Sequence, residues 1–337
     1  MSVKTKPLDP GAVAKPTNYN GLDLMKFICA IFVFLLHSRP FPASAEYMNF
    51  SSIVMCRLAV PFFFASSGFF LFRKMDLYNI NADIVRNYCY RLLMLYGLWN
   101  VLLVFGERGA LWYLSGTTVA VVMIALCFKV FKMKIRSVIV LSILLYIIAM
   151  LGNSYDFVGA PLHEVPILRN IIDFYVAVFG TTRKGMFFGF IFVFMGALIA
   201  HCKVQMTAKK AFVGFVVFLS LLYAEAFFLK LCTPMDYFEM CVMLVPAVYF
   251  LFMFMMSVNL KDRPVYRRLR TLSMIIYFIH WPLKDVVGIV LDNVRSKLGM
   301  NLTEYAFVIS FVVVMGVSFF IEWLSRREKF KWINWLF

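Results

Sequence analysis

The chain has 337 residues, of which 62% are hydrophobic and 15% charged, with a formal net charge of +16. Its mean hydropathy of +0.81 lies far outside the range of water-soluble domains and marks a polytopic membrane protein. The positive charge does not signal a nucleic-acid binder, because the basic residues alternate with apolar runs and so read as topology.

Residues 1–20 are polar and contain proline, with no apolar core or cleavage pattern, and are expected as a cytosolic tail. Ten apolar runs bounded by charge follow, each a candidate span. They are Leu22–Pro40, Ile53–Phe72, Tyr88–Phe105, Leu111–Val130, Val138–Leu151, Met186–Ala200, Ala211–Leu231, Met240–Val258, Leu272–Leu291 and Tyr305–Leu324. With the N-terminus inside, 23 of the 34 Lys and Arg fall in cytoplasmic segments, and every such segment holds at least three. The expected fold is therefore an all-α integral membrane bundle of about ten transmembrane helices with both termini cytoplasmic. Residues 21–325 form the membrane domain and 326–337 a basic cytosolic tail. The connection Gly152–Gly185 leaves room for a short helix within Leu168–Phe179. The seven cysteines lack CxxC or His/Cys clustering and read as small apolar packing residues, so no metal site is expected.

Polar groups inside these runs are the functional candidates, because ionisable side chains in a membrane helix are costly. In the first run Lys26 and His37 stand eleven residues apart across ten uncharged residues. Eleven helical steps make about three turns plus 20°, so both project from one face, about 16 Å apart in depth. Asp23, one turn before Lys26, could neutralise it at the interface, and Lys26 could snorkel to headgroups. His37 could be a hydrogen-bonded core histidine. In the ninth run His280 and Lys284 share a face, and Pro282 between them is expected to kink the helix and release carbonyls. Arg57 opens the second span, where Ser66, Ser67 and Gly68 let a ligand or another backbone approach closely. Trp112 could be a belt aromatic. Arg183 and Lys184 lie on the outer side, which suggests an anionic partner or an acid such as Glu164 or Asp173. Glu225, in the seventh run, is a candidate to pair with a buried cation.

The segment GLDLMKFICAIFVFLLH resembles the first helix of the acyltransferase-3 family of bacterial membrane proteins, in which a cation, ten residues and a histidine recur. RLAVPFFFASSGFFLFRK is similar to the family's second-helix signature. LWYL, TTRKGMFFGF and IIYFIHWPL look like its later ones, in order over residues 20–325. The HSRPF, AVPFFF and TTRKG segments most resemble the branch containing the membrane half of vancomycin-resistance serine racemase, a half associated with amino-acid uptake. The resemblance implies transfer of an acetyl or succinyl group from cytoplasmic acyl-CoA, a co-substrate and not a resident cofactor, to a glycan or small-molecule acceptor. The setting would be the cell membrane, and self-association is compatible with it. His37 would be the base or acyl carrier and Lys26 the cation that greets CoA. Arg57, Trp112 and Arg183 would form an outer mouth; His280 and Lys284 would line the wall. Lys where the family more often has Arg removes a bidentate clamp. The rival expectation is a transporter that uses the same polar core as a permeation path.

Overall fold

A computed structural model describes residues 19–41, 44–103, 111–179, 181, 185–202, 206–232, 238–298 and 305–337. The described residues are helical or connecting, without strands. In chain order the helices are α1 (Asn20–Ser38), α2 (Glu46–Cys56), α3 (Ala59–Phe72), α4 (Ala82–Leu102), α5 (Trp112–Ala125), α6 (Ile135–Leu151), α7 (Asp156–Gly159), α8 (Pro166–Phe179), α9 (Met186–His201), α10 (Ala208–Cys232), α11 (Leu244–Ser257), α12 (Pro264–Leu298) and α13 (Ala306–Ser325). Six stretches are long and apolar enough to cross a membrane: α1, α2 with α3, α5 with the π-turn that follows it, α10, α12 and α13. Three more apolar helices, in α6, α9 and α11, are shorter. Each of the ten apolar runs of the sequence falls on one of these helices or on α4.

Three local outcomes differ from the run boundaries. The second run divides at Arg57–Leu58 into α2 and α3. Pro61 is the third residue of α3, where an N–H has no intrahelical acceptor, so a fresh helix start suits it better than an interior. The ninth run extends into a 35-residue helix that passes through Pro282 unbroken. Charge ends the apolar run at both sides, but the flanking residues are good helix formers and nothing there stops the helix. The basic segment after Arg327 is not a loose tail. Residues Glu328–Trp335 form a 3-10 helix, and Ile333 and Phe337 pack with Leu95, Trp99 and Phe278. The connection helix expected within Leu168–Phe179 is present as α8.

The interior is packed with phenylalanine, including fully buried Phe62, Phe64, Phe190, Phe192, Phe194 and Phe252. The outside of α6, α10 and α13 exposes Val140, Val213, Val216, Val312 and Phe320, as expected of a surface that meets lipid. α3 and α9 approach closest where glycine permits it. A Cβ on Gly68 would lie 1.9 Å from the Val193 carbonyl oxygen, and one on Gly196 would lie 1.9 Å from that of Ala65. This is small-residue packing of the kind that holds membrane helices together.

Candidate functional site

α1 and α12 lie side by side and run parallel. Asp23 contacts Arg270 at one end and His37 contacts Lys284 at the other, both pairs 247 residues apart in sequence. Fourteen helical steps separate the two contacts, or about 21 Å. The site is the two ends of this pair and the space beside it.

At the first end Arg270 clamps Asp23 with two N–H donors, the Nε contact at 2.9 Å. Lys26 Nζ lies 3.8 Å from the same carboxylate and 4.1 Å from the centre of the Phe70 ring. Asp23 is buried at 1% exposure, so one acid serves two cations, and Arg270 supplies the planar fork that Lys26 lacks. Next to them opens a cavity of about 510 Å³ between α1, α3, α4, α5 and α12. Lys26, Lys74, Arg91 and Arg270 contribute four cations to its lining. Ser66, Ser67, Tyr113 and Tyr277 line it with hydroxyls. Ser67 Oγ and Tyr113 Oη are hydrogen-bonded at 2.8 Å. Ser66 Oγ is buried with no hydrogen-bond partner among the described residues. Arg91 donates to the Phe337 carbonyl at 2.8 Å, which seats that residue in the cavity wall. The chemistry on offer is binding of an anion by the cations and of a neutral polar group by the hydroxyls.

At the other end the His37 ring lies 5.5 Å from that of His280, nearly parallel, and 4.2 Å from that of Trp281. Lys284 donates to the His37 carbonyl at 3.3 Å, and its ammonium lies 4.7 Å from the centre of the Trp281 ring. The His37 ring thus faces α12, whereas Lys26 lies over the Phe70 ring of α3 beside the Asp23–Arg270 pair. Lys26 and His37 do not share the cavity: its lining includes Tyr277 but stops one turn short of His280.

The other expected residues fall into place as follows. Gly68 is not at the cavity but at the α3–α9 contact, because a backbone carbonyl occupies the space a side chain would need. Arg57 pairs with Glu239 at 3.3 Å. Trp112 packs among Phe64 and Phe188. Arg183 and Lys184 lie outside the described residues. Among the described residues Glu225 has no cation as a partner. It accepts from the Val242 and Met243 N–H groups and from Tyr155, and so caps the start of α11. Burial, and then the Glu225 carboxylate, push the Tyr155 hydroxyl above its ordinary pKa, so it stays a donor. Among the described residues no three His, Cys, Asp or Glu side chains are grouped to hold a metal ion. Sequence reasoning missed Arg270, Lys74 and Arg91 as site residues, because it counted them only as topology charges. It gave no site role to Tyr113, Tyr277 or Trp281, although they lie in the LWYL and IIYFIHWPL segments it singled out. On α12 the one-turn spacing from Ser273 to Tyr277 to His280 was the available signal.

Residues 19–326 match an acyltransferase domain, that of the acyltransferase-3 family. The chain is 26% identical over 342 residues to an amino-acid racemase of Enterococcus faecalis, which covers 93% of this chain and 46% of that protein. It is 26% identical over 287 residues to another amino-acid racemase of E. faecalis, covering 78% of this chain and 39% of that one. A serine/alanine racemase of Enterococcus gallinarum matches at 25% over 346 residues, covering 93% and 47%. The chain thus spans about half the length of the curated relatives it matches. No solved structure matches. With nearly all of its helical bundle inside the matched range, the chain belongs to the acyltransferase-3 family.

Proposed function

We propose that the protein is a membrane-embedded O-acyltransferase of the bacterial cytoplasmic membrane. In this reading it moves an acetyl or succinyl group from cytoplasmic acyl-CoA to a hydroxyl of an envelope glycan, a lipid-linked sugar or an exported metabolite. The observation that carries the reading is a cavity whose lining combines four cations with the hydroxyls of Ser66, Ser67, Tyr113 and Tyr277. CoA is a polyanion with a long neutral arm, and these two kinds of group suit its two parts. Lys26, Lys74, Arg91 and Arg270 meet the phosphates, the arm passes Ser66, Ser67 and Tyr113, and its end must continue about one turn of α12 beyond the cavity, from Tyr277 to His280, to meet His37. His37 takes the proton from the acceptor hydroxyl as its oxygen attacks the thioester carbonyl carbon. The new C–O bond forms, the C–S bond breaks, and the proton passes to the leaving thiolate, which departs as CoA thiol. Ten crossings with both termini inside suit this sidedness, with the basic end of the cavity on the positive, cytoplasmic face.

The test is acyl-CoA binding to purified protein and label transfer from acyl-CoA in membranes. Lys26→Ala should weaken binding about ten- to a hundredfold, as expected for one lost charge-assisted contact. A second reading, uptake of a small amino acid, draws on the relatives named as amino-acid racemases. Absence of acyl-CoA binding to intact protein would favour it over the first.

A further inference from the structure

The ring of His280 is held so that its hydrogen-bonding character can be read. Nδ1 lies 3.0 Å from the carbonyl oxygen of Ile276 and 2.8 Å from that of Tyr277. Both oxygens only accept, so Nδ1 carries the hydrogen and donates. In the neutral ring Nε2 is then a bare lone pair that can only accept. The opposite tautomer would aim the Nδ1 lone pair at two carbonyl oxygens. His280 is buried at 1% exposure, and its Nε2 has no hydrogen-bond partner among the described residues. The indole N–H of Trp281, which can only donate, is likewise buried and without a partner there. The two rings lie 6.1 Å apart, and the His37 ring sits against both. Buried polar groups are normally satisfied, so an adjacent acceptor and donor left open point to a ligand.

Few groups satisfy both. A carboxylate can accept from Trp281 but has nothing to donate to Nε2. An ammonium can donate but not accept. An ether offers only an acceptor. A hydroxyl does both, its O–H to His280 Nε2 and its lone pair to Trp281 Nε1. We propose that His280 and Trp281 form a binding site for the hydroxyl of an uncharged alcohol, beside the His37 ring. This rests on the acyltransferase reading and deepens it by assigning the residues that hold the acceptor hydroxyl; within that reading it sets the hydroxyl next to the base. Water offers the same pair of contacts, so the experiment must separate an alcohol from a retained water.

The full chain, in lipid nanodiscs, is labelled with ring nitrogen-15 at histidine. There are four histidines, and single His→Gln variants assign each signal. The probes are butan-1-ol and diethyl ether, isomers of which only the alcohol has an O–H. His280 should appear as the Nδ1–H tautomer. Butan-1-ol should move its Nε2 signal saturably, at a concentration at least fivefold below that at which the ether has any effect. Trp281→Phe should weaken the butan-1-ol response severalfold and leave the ether response unchanged. An Nε2–H tautomer, equal responses to the two isomers, or an Nε2 signal indifferent to butan-1-ol because a water holds the site would each overturn the proposal. If Trp281→Phe does not assemble, the tautomer and the isomer comparison in the native sequence decide alone. Acyl-CoA binding is measured on the same nanodiscs. Its failure would remove the donor assignment without touching the Nε2 result, so the two readings fail separately.

Discussion

Replacing Gly68 by alanine tests how the bundle holds the cavity in shape. The added Cβ would sit 1.9 Å from the Val193 carbonyl oxygen, whereas ordinary contact begins at 3.4 Å. The shortfall is 3.4 minus 1.9, or about 1.5 Å. It is met by backbone, which cannot rotate out of the way as a side chain could. Overpacking typically costs about 1–3 kcal/mol, and a contact this close between two helices belongs at the upper end. Alanine regains about 1 kcal/mol of helix propensity, leaving a net loss of about 2 kcal/mol. Gly316→Ala is the control, since nothing lies within 4 Å of its Cβ, and it should be neutral or stabilising by up to about 1 kcal/mol. Gly196→Ala, 1.9 Å from the Ala65 carbonyl, should behave like Gly68→Ala. The double variant should cost clearly less than the sum, because one separation of α3 from α9 relieves both contacts. Reversible unfolding in mixed micelles measures all four. Because α3 also carries Ser66 and Ser67, acyl-CoA binding should fall with stability in Gly68→Ala but not in Gly316→Ala. Equal stability of Gly68→Ala and Gly316→Ala would refute the close-packing account.

Other perturbations bear on the site itself. His37→Ala should abolish acyl transfer in protein that is still folded and inserted, while Lys26→Arg should keep much of the activity because the charge stays; near-normal turnover in His37→Ala would remove the base assignment. Asp23→Asn leaves Lys26 and Arg270 without their shared acid and should destabilise by roughly 2 kcal/mol, below the ~3–5 of a fully buried pair because the Arg270 side chain is 44% exposed. A stability unchanged in Asp23→Asn, measured by the same unfolding assay, would contradict that clamp. Cysteine labelling in whole cells should find positions 132, 209 and 267 inside and 108, 159 and 293 outside; any one reversed breaks the ten-crossing topology.

Much of this molecule is legible along the chain because the bilayer imposes local rules. A helix that must meet lipid needs a continuous apolar run, so the apolar runs locate helices. The eleven-residue spacing of Lys26 and His37 is also local, since a helix converts spacing into a shared face. What lies opposite that face is not local. Asp23 and Arg270 are 247 residues apart, and no periodicity in either helix says that α1 and α12 run parallel and in contact. The same applies to Gly68. Its sequence context admits a ligand or a backbone equally well, and only the approach of α9 fills the space with the Val193 carbonyl. Glu225 read as a buried charge in search of a cation, yet the fold brings it the N–H groups that open α11, which satisfy a carboxylate as well as an ammonium would. The tautomer of His280 stands between the two cases. Its Nδ1 partners are one turn back on its own helix, but the open Nε2 emerges only because packing leaves it buried and unmatched beside His37. The sequence alone determined which segments are helices and which carry ionisable groups, because solvent and period act on neighbours. The tertiary structure alone decided which of those groups meet, because that depends on contacts between helices distant in the chain.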